Sequence, residues 1–505
     1  LGRVQTPTLA LVCQRYLENR DFTAQTFYRL KLHTAKDATA FSALSVDKFA
    51  SQEEATQHRQ AVLESAEVRV IKVESRETTE NVPLLYDLTS LQRDANRCHG
   101  FPAEKTLNIA QELYEAKLIT YPRTGSRYIP EDLFEQVPVL LNALKLHLEF
   151  GRYALELTES RLNRHSVNNA KVTDHHALLI TGNVPSKLSA EQSKIYDMIA
   201  GRMLETFSEE CVKELTSVRI ECAGHLFEVR ATTIQQAGWR RIWHETEETS
   251  DEEAAALPTL HENDVLLMRG CDLLEKETRP RPLHTENSLL AAMETAGKEL
   301  DNEAEREAMK DSGLGTPATR AAIIETLISR EYIRREKRSL VPTEKGLSVY
   351  NIVADKRIAD VALTGGWELA LAKIATGEMN AFTFKHGIEV FATQITSELL
   401  KVQIPASAPA SCPKCGAPMA FYPKVARCLN VECQLVIFRT MAGKELSDEQ
   451  LKTLIEKGRT GVIKGFRKKD GDTFDASVAL NADFKTEFTF EERKQARKPG
   501  FKPRK

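Results

Sequence analysis

The sequence has 505 residues, 42% hydrophobic and 28% charged, which is enough for several domains and is not typical of a disordered chain. No apolar run reaches the roughly 18–20 residues needed to cross a bilayer, and no signal-like segment opens the chain, so we predict a cytosolic protein without membrane contact. The net charge is −3, yet residues 411–505 carry 20 Lys and Arg against 12 Asp and Glu. This basic end indicates nucleic-acid binding. On charge alone, however, a tail that only solubilises the protein is nearly as good an explanation.

Helical and extended patterns then follow each other along the chain. In chain order we predict a helix over 9–20, a strand from Thr26, a helix after the capping box at Ser51, a strand from Val68, a helical block over 87–207, strands over 217–234 and 265–270, helices over 287–399, a linker over 402–411 and a small β-rich unit.

A tyrosine surrounded by cations lies inside the first helical block. An amphipathic helix runs up to Tyr121, and Pro122 ends helical geometry there, which places the phenol at the end of an element. A single tyrosine is usually a core or interface residue, and a phenol with a pKa of about 10 is a poor nucleophile unless cations stabilise its oxyanion. Lys117 precedes Tyr121, and Arg123 and Arg127 follow it. Because arginine holds a phosphodiester through two parallel hydrogen bonds, this neighbourhood favours phosphoryl chemistry.

The residues around Tyr121 resemble a known family. LITYPRTGSRYIPEDL resembles the active-site segment of type IA topoisomerases, particularly the topoisomerase III branch, and the similarity begins about 30 residues before Tyr121. Further segments resemble that family in the same order: GRVQTPTL near the start, NNAK at 168–171 with TDHHA at 173–177, GLGTPATR at 313–320 and LTGGWE at 363–368. One such match is weak, but an ordered set over residues 1 to about 380 is specific.

The resemblance implies a multidomain α+β fold: a type IA topoisomerase toroidal body of helical domains and a β-rich arch, followed by a zinc-ribbon-like β unit. The expected domains are the start of a helical DNA-binding domain at 1–25, the first part of the arch at 26–85, a helical domain with the active-site tyrosine at 86–207, the second part of the arch at 208–282, a helical DNA-binding domain with a winged-helix-like part at 283–400, a linker at 401–411, the zinc-ribbon-like unit at 412–440, a small α+β repeat at 441–492 and a basic tail at 493–505.

The resemblance also implies an ATP-independent enzyme that cleaves and rejoins one DNA strand through a 5′-phosphotyrosine at Tyr121. No G-x-x-x-x-G-K-[ST] motif occurs in the chain, in agreement with this. His175 matches the family's active-site histidine, and Arg123 is the expected phosphate clamp. The expected DNA-binding residues are Arg3, Gln5, Arg127, Lys171, Thr319 and Arg320. We expect a nucleoid-associated monomer that acts on single-stranded and on negatively supercoiled or catenated duplex DNA.

Four cysteines near the C-terminus form a separate motif. Cys412, Cys415, Cys428 and Cys433 follow the pattern C-x2-C-x12-C-x4-C, which predicts structural Zn²⁺, although the second spacing is looser than usual and an unmetallated ribbon is the alternative. Beyond them, a capping box at Ser447 predicts a short helix. Phe466 lies among cations, which suits single-stranded nucleic acid or equally a solvated hairpin tip, and residues 493–505 predict a disordered basic arm.

One expected part of the family's chemistry has no counterpart in the sequence. The resemblance implies a Toprim domain ahead of GRVQTPTL, with acidic residues that bind Mg²⁺, whereas the only D-x-D here, Asp470 to Asp472, reads as a hairpin turn. We therefore expect a fragment that binds single-stranded DNA but does not relax supercoils alone. A non-catalytic DNA-binding protein is the alternative. A tyrosine recombinase is disfavoured because no H-x-x-R box precedes Tyr121, and a relaxase because no histidine triad is present.

Overall fold

The computed structural model describes residues 1–65, 67–245, 257–310, 313–402, 410–422, 424–430, 432–468 and 472–490. The chain forms two units, Leu1–Thr396 and Ser397–Lys505. Among the described residues, no helix combines the length and apolarity that a membrane span requires.

The first unit alternates between helices and long strands. Its elements are α1 Gln5–Arg20, β1 Thr26–Lys36, β2 Thr39–Ser45, α2 Gln52–Glu64, β3 Val68–Glu80, α3 Leu88–His99, α4 Ala103–Glu115, α5 Glu131–Phe134, α6 Val137–Leu141, α7 Gly151–Thr158, α8 Ala190–Phe207, β4 Cys211–Cys222, β5 His225–Gln236, β6 Val265–Glu277, α9 Glu286–Thr295, α10 Glu303–Ala308, α11 Pro317–Ser329, β7 Ile333–Glu336, β8 Ser339–Pro342, α12 Glu344–Val353, α13 Val361–Ala375 and α14 Ala381–Leu400. The last helix, α14, crosses from the first unit into the second.

Six of these strands close into a barrel in the order β1-β2-β5-β4-β3-β6. The barrel therefore joins two stretches of chain, 26–80 and 211–277, that the helical block separates in sequence. Neighbouring strands are antiparallel, and Leu30 and Leu32, two residues apart on β1, both face inward with no exposed surface. Burial of these side chains holds the two distant stretches together.

The helices α3 to α8 pack around a second core, which frames Tyr121. Asp87 begins α3 through a capping box with Ser90, and Gly100 ends it in the left-handed conformation at φ 68°, where glycine has no Cβ to clash. The side chains that form this core include Leu91, Leu113, Ile119, Ile180, Tyr196 and Phe207.

A third core joins the start of the chain to its later helices. Helix α1 packs against α9, α11, α12 and the β7–β8 hairpin, with Leu9, Leu289, Leu290, Ile324 and Leu340 buried between them. The β7–β8 hairpin lies between α11 and α12, in the region where a winged-helix-like part was expected. Helix α1 begins at Gln5, earlier than predicted, because Pro7 needs no backbone donor in the first turn and Thr6 and Thr8 are buried.

The second unit is small and rich in strands. Its elements are β9 Ala410–Ser411, β10 Pro418–Phe421, β11 Val425–Cys428, β12 Val436–Phe438, β13 Thr440–Met441, β14 Lys444–Glu445, α15 Asp448–Lys457, β15 Ile463–Arg467, β16 Thr473–Leu480 and β17 Thr486–Thr489. Ser447 caps α15 through the predicted capping box. Phe466, which we considered as a nucleic-acid contact, is instead fully buried and packs on Phe474 and Phe488, so its role is structural.

Several predicted features lie at or beyond the edges of the described residues. Most of the linker, the basic tail 493–505, Lys469 and the first two residues of the Asp470–Asp472 turn lie outside them. The predicted linker also included Ala410 and Ser411, which are strand β9 in the structure because Ala410 pairs with Met419.

Candidate active site

We had predicted that helix α4 runs up to Tyr121, but in the structure it ends at Glu115. Lys117 adopts φ 60°, and the backbone N–H of Leu118 reaches back to the carbonyl of Leu113 at 2.9 Å. This left-handed helix ending turns the chain, and Leu113 and Leu118 are both buried beneath it. The chain leaves the turn extended, so that Tyr121 is presented from a loop held at its base by buried leucines.

The loop pairs with a second segment more than forty residues further along the chain. Residues 118–128 lie beside residues 171–181, and an isolated bridge joins Ile119 to Ile180. Further hydrogen bonds between them include those from Thr120 N to Leu179 O, Thr181 N to Leu118 O and Ala177 N to Tyr128 O at 2.9 Å, and from Thr124 Oγ1 to His175 O at 3.0 Å. Thr124 is 1% exposed, so its hydroxyl fixes the histidine-bearing segment from a water-free position.

This pairing brings together the predicted nucleophile and the predicted histidine. The rings of Tyr121 and His175 lie 4.6 Å apart, centroid to centroid, and are inclined by 54°. On its other side, Tyr121 meets the ring of Tyr114 at 5.5 Å, in an edge-on arrangement. Tyr121 is half-buried and His175 is exposed, so a strand of DNA can approach both.

Arg123 is the cation most available to a substrate in this loop. Its side chain is exposed, and among the described residues no carboxylate pairs with it. Its guanidinium is therefore free to bind a phosphate two residues from the phenol.

Arg127 is differently placed. Its Nε lies 3.5 Å from Asp87 Oδ2, and its Nη2 lies 3.9 Å from Glu294 Oε1. A phosphate that binds Arg127 must compete with these two carboxylates.

The remaining predicted DNA-binding residues are engaged with protein partners of various kinds. Lys171 Nζ donates to Tyr128 Oη at 3.3 Å and lies over its ring. Arg3 pairs with Glu368 at 2.5 Å, and the carbonyl oxygen of Arg3 accepts a hydrogen bond from Thr364. This contact fastens the GRVQTPTL segment to the LTGGWE segment, while Gln5 accepts a bond of 3.4 Å from Arg330.

The two predicted DNA-binding residues of the GLGTPATR segment, Thr319 and Arg320, differ in exposure. Thr319 is exposed and bonds to Thr316 in the first turn of α11. Arg320 is 1% exposed and donates to Thr89 Oγ1 at 2.7 Å, which ties α11 to α3. Burial lowers the pKa of Arg320, although Glu294 and Asp87 oppose this effect. In this conformation Arg320 is an interior structural cation and not the surface phosphate contact that we predicted.

Three residues near Tyr121 were missed in the sequence. Tyr114 has no distinguishing pattern within its amphipathic helix, but it is 39% exposed and its ring contacts Tyr121. Thr124 and Asp87 gave no signal, because a threonine within a motif and an aspartate at a helix start have ordinary local explanations. Their importance depends on contacts with residues far away in sequence.

The four predicted metal ligands of the second unit lie together. The Sγ atoms of Cys412, Cys415, Cys428 and Cys433 all lie within 4.8 Å of one another. Cys412 and Cys433 are 3.7 Å apart, and Cys415 and Cys428 are 3.5 Å apart. A disulfide needs about 2.05 Å, whereas four thiolates around one Zn²⁺ lie about 3.8 Å apart. The cluster therefore fits a metal ion.

Among the described residues, the four cysteines are the only group of three or more His, Cys, Asp or Glu side chains close enough to share an ion. The resemblance places the acidic Mg²⁺ ligands in a Toprim domain ahead of GRVQTPTL and not among the residues around Tyr121.

Comparisons with known proteins agree with this geometry. Residues 1–385 match the family model described as DNA topoisomerase, and residues 432–491 match that of the C-terminal repeat of topoisomerase. The chain is 32% identical over 415 residues to DNA topoisomerase 3 of Bacillus subtilis, covering 79% of this chain and 56% of that protein. It is 33% identical over 417 residues to DNA topoisomerase 3 of Bacillus licheniformis, with the same coverage.

A solved structure shows the same fold. Full-length topoisomerase I from Thermotoga maritima superposes with a TM-score of 0.63 at 22% identity, covering 88% of this chain and 71% of that one. The chain spans a little over half the length of the Bacillus relatives. The ordered segments, the matched family model and the shared fold all agree, and the chain belongs to the DNA topoisomerase family, in its type IA, topoisomerase III-like branch.

Proposed function

We propose that this chain cleaves and rejoins one strand of DNA without ATP, with Tyr121 as the nucleophile. The observation that carries the proposal is the pairing of residues 118–128 with 171–181, which puts the phenol beside His175 and next to an exposed Arg123. Membership of the topoisomerase family makes DNA the expected substrate.

In the proposed step, Tyr121 Oη forms a bond to the phosphorus of a phosphodiester while the bond from phosphorus to the 3′ oxygen breaks. The phenol loses its proton, and the leaving 3′ oxygen gains one. The product is a 5′-phosphotyrosine and a free 3′ hydroxyl. Reversal restores the phosphodiester and the phenol, so no nucleotide is consumed.

Two side chains assist this step. Arg123 clamps the non-bridging oxygens and stabilises the charge that builds up on them. His175 supports the same charge or moves a proton, because an imidazole nitrogen can accept or donate one. The described residues lack a carboxylate cluster for Mg²⁺, so we assign no step of this chain to that ion.

The proposed substrates are single-stranded DNA and negatively supercoiled or catenated duplex DNA, and the proposed active form is a monomer that acts on the nucleoid. Passage of a second strand through the gap then relaxes or decatenates the DNA. We further propose that the four-cysteine cluster holds Zn²⁺ in a structural role, because four protein ligands leave no open position for chemistry.

The decisive experiment traps the covalent adduct on a labelled single-stranded oligonucleotide. The full 505-residue chain is assayed alone and joined to the acidic Toprim-type domain that the resemblance implies. We expect an adduct from the joined protein, none from Tyr121→Phe, and near-normal adduct from the control Tyr114→Phe, which keeps its ring beside Tyr121.

Two outcomes contradict the proposal. An adduct that survives in Tyr121→Phe assigns the reaction to another residue. Tight single-strand binding without any adduct, in the joined protein, indicates a non-catalytic DNA-binding protein built on the same fold.

A further inference from the structure

A cluster of five charged side chains lies where α3, the loop after Tyr121, α9 and α11 meet. Its members are Asp87, Arg93, Arg127, Glu294 and Arg320. Glu294 is the centre of the cluster: its Oε2 lies 3.2 Å from Arg93 Nη1, and its Oε1 lies 3.9 Å from Arg127 Nη2. Three cations face two carboxylates, so the cluster carries one positive charge in excess.

Exposure divides the cluster into a floor and a rim. The floor consists of Asp87, 5% exposed at its side chain, and Arg320, 1% exposed. The rim consists of Arg93, Glu294 and Arg127, with side chains that are 32%, 27% and 33% exposed. A solute can therefore reach Arg93 and Arg127, and Glu294 lies between them.

The cluster adjoins the loop that carries Tyr121. Arg127 belongs to that loop, and the backbone N–H of Leu88, next to Asp87, donates to Thr124 O at 3.1 Å. A Cβ placed on Gly125 would lie 3.3 Å from the ring of Pro317, so the start of α11 lies against the same loop. A strand bound at Tyr121 thus has neighbouring phosphates within reach of the rim.

The ion pairs of Arg127 are long, so another anion can bind its guanidinium more closely. Its two ion pairs measure 3.5 and 3.9 Å, beyond the roughly 2.8 Å of a strong charge-assisted hydrogen bond. A phosphodiester offers two non-bridging oxygens, as a carboxylate does, and it fits the fork of a guanidinium. Glu294 resembles such an anion in charge and in its paired oxygens.

We propose that Glu294 stands in for a DNA phosphate: without DNA its carboxylate lies between Arg93 and Arg127, and a phosphodiester of the bound strand displaces it. The inference rests on the proposed function, since it requires a single strand at Tyr121. It also means that Glu294 lowers the affinity for DNA while it links α9 to the core that carries Tyr121.

The test measures binding of a fluorescent single-stranded oligonucleotide by anisotropy, using the full chain over a range of salt concentrations. We expect Glu294→Gln to tighten binding about three- to tenfold, because it removes the competing charge and leaves both arginines. The log–log dependence on salt should stay nearly the same, because the same phosphate contacts both arginines in the wild type once Glu294 is displaced.

Matched variants separate competition from a general charge effect. Glu303→Gln removes one exposed charge from α10 without touching the cluster and should change affinity much less. In a background of Arg93→Ala and Arg127→Ala, binding should weaken and Glu294→Gln should bring no gain. Glu294→Asp withdraws the carboxylate by one methylene group and should give an intermediate affinity. If the glutamine variant fails to fold, the affinity of Glu294→Asp tests the inference instead.

An unchanged or weakened affinity in a folded Glu294→Gln, or a gain equal to that of Glu303→Gln, overturns the inference. If wild type binds DNA and forms the adduct in that case, the proposed function stands and only the role of Glu294 is lost. If neither wild type nor Glu294→Gln binds single-stranded DNA, the proposed function fails as well.

Discussion

The four cysteines of the second unit come from one short stretch, residues 412–433, whereas Tyr121 and His175 are 54 positions apart in the sequence. The four thiols lie close together, and few residues of the chain separate them. The tyrosine and histidine meet because two extended segments pair over a large helical core. A local motif can therefore be identified by its spacing, whereas a site built by distant pairing depends on everything that holds the two segments in register.

The largest effect should follow removal of the metal from the cysteine cluster. Structural Zn²⁺ contributes on the order of 10 kcal/mol of folding free energy in small domains, so chelation or Cys428→Ser should unfold the second unit. The first unit, which has its own cores, should keep its unfolding transition. Native mass spectrometry and thermal unfolding check this, with the exposed Cys98→Ser as control. If the second unit of the metal-free chain unfolded at an unchanged temperature, that result would falsify the zinc assignment.

The next largest effect concerns Arg123, the exposed cation of the site that contains Tyr121 and His175. Arg123→Ala should slow adduct formation about a hundredfold, since it removes charge stabilisation at the reacting phosphate, and Arg123→Lys should recover only part of the rate. Single-turnover trapping measures the rate. Arg152→Ala, with a side chain that is 83% exposed on α7, is the matched control. Equal rates for Arg123→Ala and Arg152→Ala would exclude Arg123 from the step.

A fall in pH should act on the first unit through His284. This side chain is 4% exposed, and burial, with help from Arg15 and Arg281, lowers its pKa to about 4. The unfolded chain then binds a proton more readily than the folded one, so stability is full above about pH 6.5 and falls as pH drops towards 4.

The loss reaches about 3 kcal/mol by pH 4, because the folded protein holds the pKa of His284 at about 4. Urea unfolding at several pH values, with the non-titrating His284→Gln for comparison, measures it. If both proteins lose stability equally between pH 6.5 and 4, His284 is not the cause.

The smallest effect tests the pairing itself. Thr124→Val removes the hydroxyl that donates to His175 O and accepts from Ser126 N, leaving both backbone groups without this partner. We expect a loss of about 1–3 kcal/mol in the free energy of unfolding of the first unit, with slower adduct formation. Thr173→Val, at an exposed position of the paired segment, is the control. A Thr124→Val protein with unchanged stability and rate would show that other contacts fix the register.

Much of the fold could be predicted from local patterns. The Ser51 and Ser447 helix starts and the first barrel strands follow from capping residues and periodicity. The end of α4 was placed too late, because the left-handed turn at Lys117 needs no glycine when buried leucines hold it. Phe466 was misjudged for a related reason: cations flank it in sequence, while its partners Phe474 and Phe488 come from other strands.

The sequence by itself determined the candidate nucleophile, the candidate histidine and the cysteine cluster, because ordered motifs and short spacings carry that information. Only the tertiary structure decided which arginines face solvent. Arg123, Arg127 and Arg320 all lie in segments that resemble the family's motifs, yet one is exposed, one is shared between two carboxylates and one is buried against Thr89. The partners that make this difference, Asp87, Glu294 and Thr89, lie on other helices. A charge acts according to the dielectric and the counter-charges around it, and those are set by packing between segments far apart in the chain.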